Sequence, residues 1–290
     1  MNSFLLIDKP VGISSFDVIR KLRRILGIKK IGHAGTLDPF ATGLLICATG
    51  QYTRLLKYAE AQSKTYHASL ILGKKSSTGD PEGEIIASSE TNYSHEKFAA
   101  LEEKILALDS LRVPQYSAVK INGKRAYKLA REGESPEMPI RPVKIYDFCI
   151  SQTEDPSILD YRVKVSKGTY IRALSEYIAE ILGCVGMTSA LRREAIGEID
   201  VVDAAVWEDL ESSWCDGICP ERKILRLKSM QLSAEQVSLI LHGREVALKD
   251  ELAEPEELAI YDVQDRLIAI GCVEDGTLSP KQVFDPGKSL

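Results

Sequence analysis

The chain of 290 residues is 44% hydrophobic and 27% charged, which supplies a sizeable core and excludes a disordered protein. Taken whole, a net charge of −5 and a pI near 5.6 argue against a nucleic-acid partner. That average hides a split, because residues 1–75 hold twelve Lys and Arg against Asp8, Asp17, Asp38 and Glu60, a net of +8 that leaves −13 for the other 215. The apolar stretch in MNSFLLIDKPVG is too short for a leader and has no basic segment before it. No later run reaches the length of a membrane span, so a cytoplasmic protein without membrane attachment is expected. Six cysteines are too few for a disulfide scaffold, and Cys47 and Cys272, set in apolar runs, are expected to be buried thiols. Cys215 and Cys219 have no His or third Cys beside them, and His33, His67, His95 and His242 are scattered. No structural or catalytic metal is expected.

In chain order, Ser14-Ser15-Phe16-Asp17 reads as a cap followed by an amphipathic helix. Val18, Ile19, Leu22, Ile25 and Leu26 lie on one face, Arg20, Lys21, Arg23 and Arg24 on the other, and Gly27 stops it. Residues 44–48, between Gly43 and Gly50, are continuously apolar, which suits a strand covered on both faces. Phe98, Leu101, Ile105 and Leu108 make a helical stripe; residues 161–165 alternate like a half-buried strand. After Gly168 a helix follows with Ile171, Leu174, Ile178 and Ile181, stopped by Gly183. The polar, turn-rich stretch 215–220 is the expected boundary between domains at 1–215 and 222–290. Beyond it, Ser233-Ala-Glu-Gln236 caps a helix ending at Gly243, and 258–261 with 267–270 reads as a hairpin. Strands and helices alternate irregularly, the pattern of an α+β chain.

The densest segment runs His33-Ala34-Gly35-Thr36-Leu37-Asp38-Pro39-Phe40-Ala41-Thr42-Gly43-Leu44-Leu45, preceded by Gly32. Its glycines allow sharp turns and close approach to a ligand, around a single carboxylate. Local sequence slightly favours a plainer reading, with Asp38 as a helix N-cap and Pro39 at the first helical position. Gly43 would leave that helix barely a turn.

This segment closely resembles the catalytic motif of the TruB family of bacterial tRNA pseudouridine synthases, which isomerise uridine 55 in the T-arm. Lys9-Pro10-x-Gly12-x-Ser14-Ser15 looks like the family's first motif. Further matches follow in order: Lys64-Thr65-Tyr66; Thr78-Gly79-Asp80 with Gly83; Ser117-Ala118-Val119-Lys120 with Gly123, Tyr127, Ala130-Arg131 and Gly133; Gly168-Thr169-Tyr170-Ile171-Arg172-Ala173-Leu174; Thr188 with Leu191-Arg192-Arg193. The resemblance implies a pseudouridine synthase fold with a mixed, largely antiparallel central sheet, followed by a small β-rich PUA-like domain. It implies cofactor-free chemistry, with tRNA as partner, no obligatory protein partner, and a monomer.

By the same resemblance Asp38 is the nucleophile. Isomerisation must break N1–C1′, turn the uracil and join C5 to C1′, and attack on the base, attack on the sugar or removal of a sugar proton all remain open. An aspartate is ionised at neutral pH without special tuning and needs orientation most. Arg172 matches the arginine that pairs with this carboxylate, and its planar fork suits that role. Tyr66 matches the tyrosine that stacks on the flipped uracil, whereas Tyr58 and Tyr161 are taken as half-buried strand tyrosines. His33 is carried over as the brace for the gap left by the flipped base, and Tyr170 and Leu191 as pocket walls. Lys9, Lys64 and Lys120 are assigned to phosphate or structural support. Arg20, Lys21, Arg23 and Arg24, with Lys29 and Lys30, form the expected phosphate-facing surface, since only Asp17 interrupts the run.

Two departures stand out. The family has two prolines before its Ser-Ala pair, where this chain reads Val113-Pro114-Gln115-Tyr116-Ser117. Residues 230–290 hold five Lys and Arg against twelve Asp and Glu, which limits any RNA contact there to a few residues. The rival readings are a synthase for another RNA and a tRNA-folding chaperone in which catalysis is secondary. Missing GxxxxGK[ST] and GxSxG patterns disfavour a phosphotransferase or a hydrolase.

Overall fold

The computed structural model describes residues 1–91, 93, 97–248 and 256–285. His95 and the last five residues of the expected second domain lie outside the described residues. The chain opens with β1 (Phe4–Lys9), α1 (Ser15–Leu26), β2 (Ile31–Ala34), β3 (Thr42–Thr49), α2 (Leu56–Ala61) and β4 (Lys64–Leu72). These strands join a large sheet whose neighbours run Ile145–Gln152, Ile158–Val165, β4, Gly186–Ile196, β3, β1 and Ala205–Val206. Gly186–Ile196 runs parallel to β3, Ala205–Val206 runs parallel to β1, and the other neighbours along this path are antiparallel. The sheet is thus mixed and largely antiparallel, as expected.

Burial explains the sequence patterns. In β3, Leu44, Ile46 and Ala48 enter one core with Phe4 and Leu6, whereas Leu45 and Cys47 enter another with Leu5, Ile7, Val18, Ile19 and Leu22. Cover on both faces removes the polar half of the alternation. The α1 helix starts at a capping box in which Ser14 and Asp17 exchange side-chain and backbone hydrogen bonds, and it stops at Gly27 at φ +66°. Val18, Ile19 and Leu22 are fully buried, each worth about 1.5–3 kcal/mol relative to exposure. The helix Ile171–Ile181 lays Ile171, Leu174 and Ile178 on Ala68, Leu70 and Val163. Register then fixes sides: Arg193 stands opposite both Tyr66 and Gly43, so these share one face, and Arg192 with His67 takes the other.

A second sheet orders its strands Lys228–Gln231, Glu256–Tyr261, Leu267–Glu274, Thr277–Val283 and Val246–Ala247. The capped helix Ala234–Leu241 and the hairpin form as expected. Ala259, Tyr261, Leu267, Ile270 and Phe284 share one core with Phe4, Leu44 and Tyr52, so the small sheet is seated on β1 and β3 opposite α1.

Several local expectations fail for identifiable reasons. The 215–220 stretch is anchored to the large sheet: Ile218–Cys219 pairs antiparallel with β1. Asp38 caps no helix; Ala41 N donates to Asp38 O at 3.1 Å, closing a turn in which Pro39 supplies the fixed φ. Tyr58 sits on α2, and Tyr161 is fully buried in its strand. Cys272 is only partly buried, while Cys47 is buried as expected. Among the described residues no helix is long and apolar enough to cross a membrane.

Candidate active site

The loop between β2 and β3 carries Asp38 and is held from three sides. Gly43 at its end has φ +101°, and a Cβ there would lie 2.2 Å from the carbonyl oxygen of Arg193, so only glycine lets the two strands meet. Buried Ser15 accepts from Leu37 N at 2.8 Å and donates to Leu37 O at 3.0 Å. Gly12 N donates to Pro39 O at 2.8 Å. Lys9 is fully buried, and its Nζ donates to Pro10 O at 2.9 Å and Ile13 O at 2.8 Å and reaches Pro39 O at 3.4 Å. Burial lowers the Lys9 pKa to about 8 against the pull of Asp38 and Glu82.

Arg172, in the first turn of Ile171–Ile181, faces this loop from across the site. Its Nε lies 3.1 Å from Asp38 Oδ2, and its Nη1 lies 3.2 Å from Asp80 Oδ2. The guanidinium also donates to Thr78 O at 2.6 Å and Tyr116 O at 2.9 Å. Asp80 is itself fixed, accepting from Thr78 Oγ1 at 2.5 Å and Glu82 N at 3.0 Å. A helix N-terminus opposes a cation, and here two carboxylates and two carbonyls offset that opposition. A buried hydroxyl chain steadies the helix: Tyr161 meets Ser175 at 2.7 Å, Thr188 donates to Ser175 at 2.8 Å, and Thr188 N donates to Gly79 O at 3.0 Å.

Asp38 is the partly open member of this set, with 38% of its side chain exposed against 6% for Arg172 and 3% for Asp80. Burial pushes its carboxyl pKa up; Arg172 and Lys9 oppose the rise and Asp80 adds to it. The expectation of an untuned aspartate is therefore corrected: the surrounding protein destabilises its charge, and Arg172 only partly restores it.

The remaining candidates divide. Tyr66 and Leu191, both 8% exposed, share an apolar cluster with Leu37, Ala41 and Phe40 and so wall the loop that bears Asp38. Tyr170 packs instead with Val113, Ala126 and Met138, and His33 lies half-buried on β2 opposite Cys47. Burial, reinforced by Arg193, lowers the His33 pKa, and its Nδ1 is enclosed without a hydrogen-bond partner. Lys9 and Lys64 do not face solvent. Lys64 Nζ donates to Gln62 O at 2.7 Å and to Glu60 O, closing the end of α2, so both lysines support structure and leave phosphates to others.

The α1 surface is also not of one sign. Arg20 pairs with Asp17, Arg24 meets Glu211 at 2.6 Å, and Lys21 lies over the Trp207 ring at 4.1 Å. Glu211 is distant in sequence, which is why the run looked unopposed. From residues 112–144, with eight Lys and Arg against three Glu, the sequence reading singled out only Lys120 as a support for phosphate or structure. Arg112, Lys120, Lys124, Arg125, Lys128 and Arg141 are exposed there, and Tyr116 O joins this segment to Arg172. Asp80 and Arg193 also received no role from sequence, although both lie in motifs whose order was noted. Among the described residues no group of three or more His, Cys, Asp and Glu is arranged to hold a metal ion.

Residues 23–171 match the family described as TruB family pseudouridylate synthase (N terminal domain), and residues 229–284 match Pseudouridine synthase II TruB, C-terminal. A tRNA pseudouridine synthase B of Dehalococcoides mccartyi is 37% identical over 98% of this chain and 97% of its own. Another protein of that name, from Burkholderia pseudomallei, is 32% identical over 99% and 98%. Among solved structures, a chain of a Cbf5-Nop10-Gar1 complex superposes with a TM-score of 0.72 at 23% identity, over 98% of this chain and 85% of that one. A chain of an H/ACA RNP bound to a substrate RNA containing 2′-deoxyuridine gives 0.71 at 21%, over 99% and 86%. At such identities these structures speak for the fold alone.

Proposed function

Because the chain belongs to the TruB family of pseudouridylate synthases, we propose that it isomerises uridine 55 in the T-arm of tRNA, with Asp38 as nucleophile. The carrying observation is the Asp38–Arg172–Asp80 arrangement, in which one buried guanidinium orients the partly open carboxylate. Fixing that carboxylate in advance removes an orientational cost that a mobile side chain would bear at each turnover. Tyr66 and Leu191 offer an apolar seat for a uracil drawn out of the stack, and neutral His33 fills the place it leaves. The reaction conserves atoms: the N1–C1′ bond breaks, C5 joins C1′, the C5 proton departs and N1 gains one. No cofactor is needed.

Tyr170 is kept as a more distant wall, at the junction of the Arg172 helix and the 112–144 segment. That segment is read as the main phosphate-facing surface, with Arg20 and Arg24 secondary. The catalytic part is read as residues 1–215, with the strand at 218–219 completing its sheet, and the module from 222 onward as an accessory body. Such an enzyme would work in the cytoplasm as a monomer without a protein partner.

The test follows from the lost C5 proton. With tRNA carrying tritium at uridine C5, the native protein should release tritium stoichiometrically with the modified site. Asp38→Asn should bind the same tRNA within about threefold and release none, since it keeps shape and loses the charge. Tritium release by Asp38→Asn would sink the assignment of Asp38.

A further inference from the structure

The geometry points to Arg193 as a positioning residue that fixes both ends of the Asp38 loop from the sheet side, a role that rests on Asp38 being the reacting carboxylate. Arg193 is 1% exposed. Its Nη2 donates to Gly35 O at 3.0 Å and its Nε to Leu44 O at 2.7 Å, carbonyls on opposite sides of Asp38 in the chain. Its backbone stands opposite both Gly43 and Tyr66, so one residue relates the loop's entry, the loop's exit and the strand of the candidate stacking tyrosine.

Its electrostatic setting is unlike that of Arg172. Among the described residues Arg193 forms no ion pair, and its positive charge is felt by Lys9, His33, Lys64 and Cys47. A buried cation answered only by carbonyl dipoles is costly to hold, and an apolar side chain would fill the same space without that cost. What a neutral or a single-headed side chain could not do is span two carbonyls with one rigid plane. Lysine keeps the charge and can bond several carbonyls, as Lys9 does, but all its donors leave one atom on a flexible stem, so the separation that Nε and Nη2 impose on Leu44 O and Gly35 O is lost. Charge and splint are therefore separable by substitution.

The experiment compares native protein, Asp38→Asn, Arg193→Lys and Arg193→Met for single-turnover rate on bound T-arm RNA, RNA affinity and unfolding temperature. Arg193→Lys should lose about 10- to 100-fold in rate while affinity stays within about threefold, the signature of a misplaced reacting group. Arg193→Met should lose at least as much; where it fails to fold, Arg193→Lys decides alone. A native rate in Arg193→Lys would overturn the splint, as would rate and affinity falling together with the unfolding temperature. Activity in Asp38→Asn would instead overturn the reading of the site, whereas an inactive Asp38→Asn beside a full-rate Arg193→Lys would remove only the role of Arg193.

Discussion

Two stretches of the chain, residues 17–30 and 112–144, each carry a net charge of +5 in sequence, and folding treats them differently. In the first stretch Asp17 takes Arg20, Glu211 takes Arg24 and Lys21 lies over Trp207, while Arg23, Lys29 and Lys30 form no ion pair among the described residues. Along 112–144, among the described residues, only Lys124 has an acidic partner, Glu132 at 3.7 Å; Arg131 and Lys144 lie over the Tyr127 and Tyr146 rings, and Lys120, Lys128 and Arg141 form no ion pair. Equal charge in sequence thus becomes unequal potential at the surface, because a polyanion must compete with the acids already present. The freer surface is also the one whose Tyr116 carbonyl touches the guanidinium that holds Asp38.

That contrast can be broken most forcefully by neutralising the freer surface. Replacing Lys120, Lys124, Arg125 and Lys128 with Gln should weaken tRNA binding about 100-fold at low salt and flatten the salt dependence by about three to four contacts. Titrations across a salt series check this, and an unchanged slope would place the RNA elsewhere.

A smaller effect concerns the carboxylate that these surfaces flank. Because the Asp38 pKa is raised, its protonated form persists above the ordinary aspartate value of 3.8, and the single-turnover rate should fall about tenfold per pH unit below the raised pKa. In Asp80→Asn a like charge is removed and Arg172 is freed toward Asp38; both changes favour the ionised form. The acid limb of the pH–rate profile should therefore move to lower pH, even as loss of orientation lowers the maximum. A limb displaced upward would contradict this electrostatic account.

Weaker still, Arg20→Ala with Arg24→Ala should reduce affinity by about threefold or less, since exposed charges already paired lose little on removal. Glu211→Gln sharpens the comparison in the opposite direction. It frees Arg24 and should tighten tRNA binding by about twofold at low salt, an effect that vanishes as salt rises.

Much of the fold was legible because its signals are local. The Ser14–Asp17 capping box, the Gly27 stop and the unbroken apolar run of β3 each follow from neighbouring residues, and all formed. The geometry of the candidate site was legible where the paired side chains stand in the motifs themselves, as with Asp38 and Arg172, which lie 3.1 Å apart. It was illegible where distant segments meet. Nothing near Arg24 announces Glu211, and nothing in Lys9 or Lys64 distinguishes a lysine bound to buried carbonyls from one facing phosphate. The Asp38-Pro39 pair shows the converse: a sound local rule for a helix start was overridden by Ser15, Gly12 and Lys9, which hold the loop as a turn.

The central claim, an Asp38-dependent isomerisation confined to the T-arm, is tested most directly by mapping pseudouridine at nucleotide resolution in total tRNA lacking the modification. The native protein should introduce pseudouridine at position 55 alone, and Asp38→Asn should introduce none although it still binds. Modification by Asp38→Asn, or pseudouridine appearing at other positions with 55 untouched, would contradict the account.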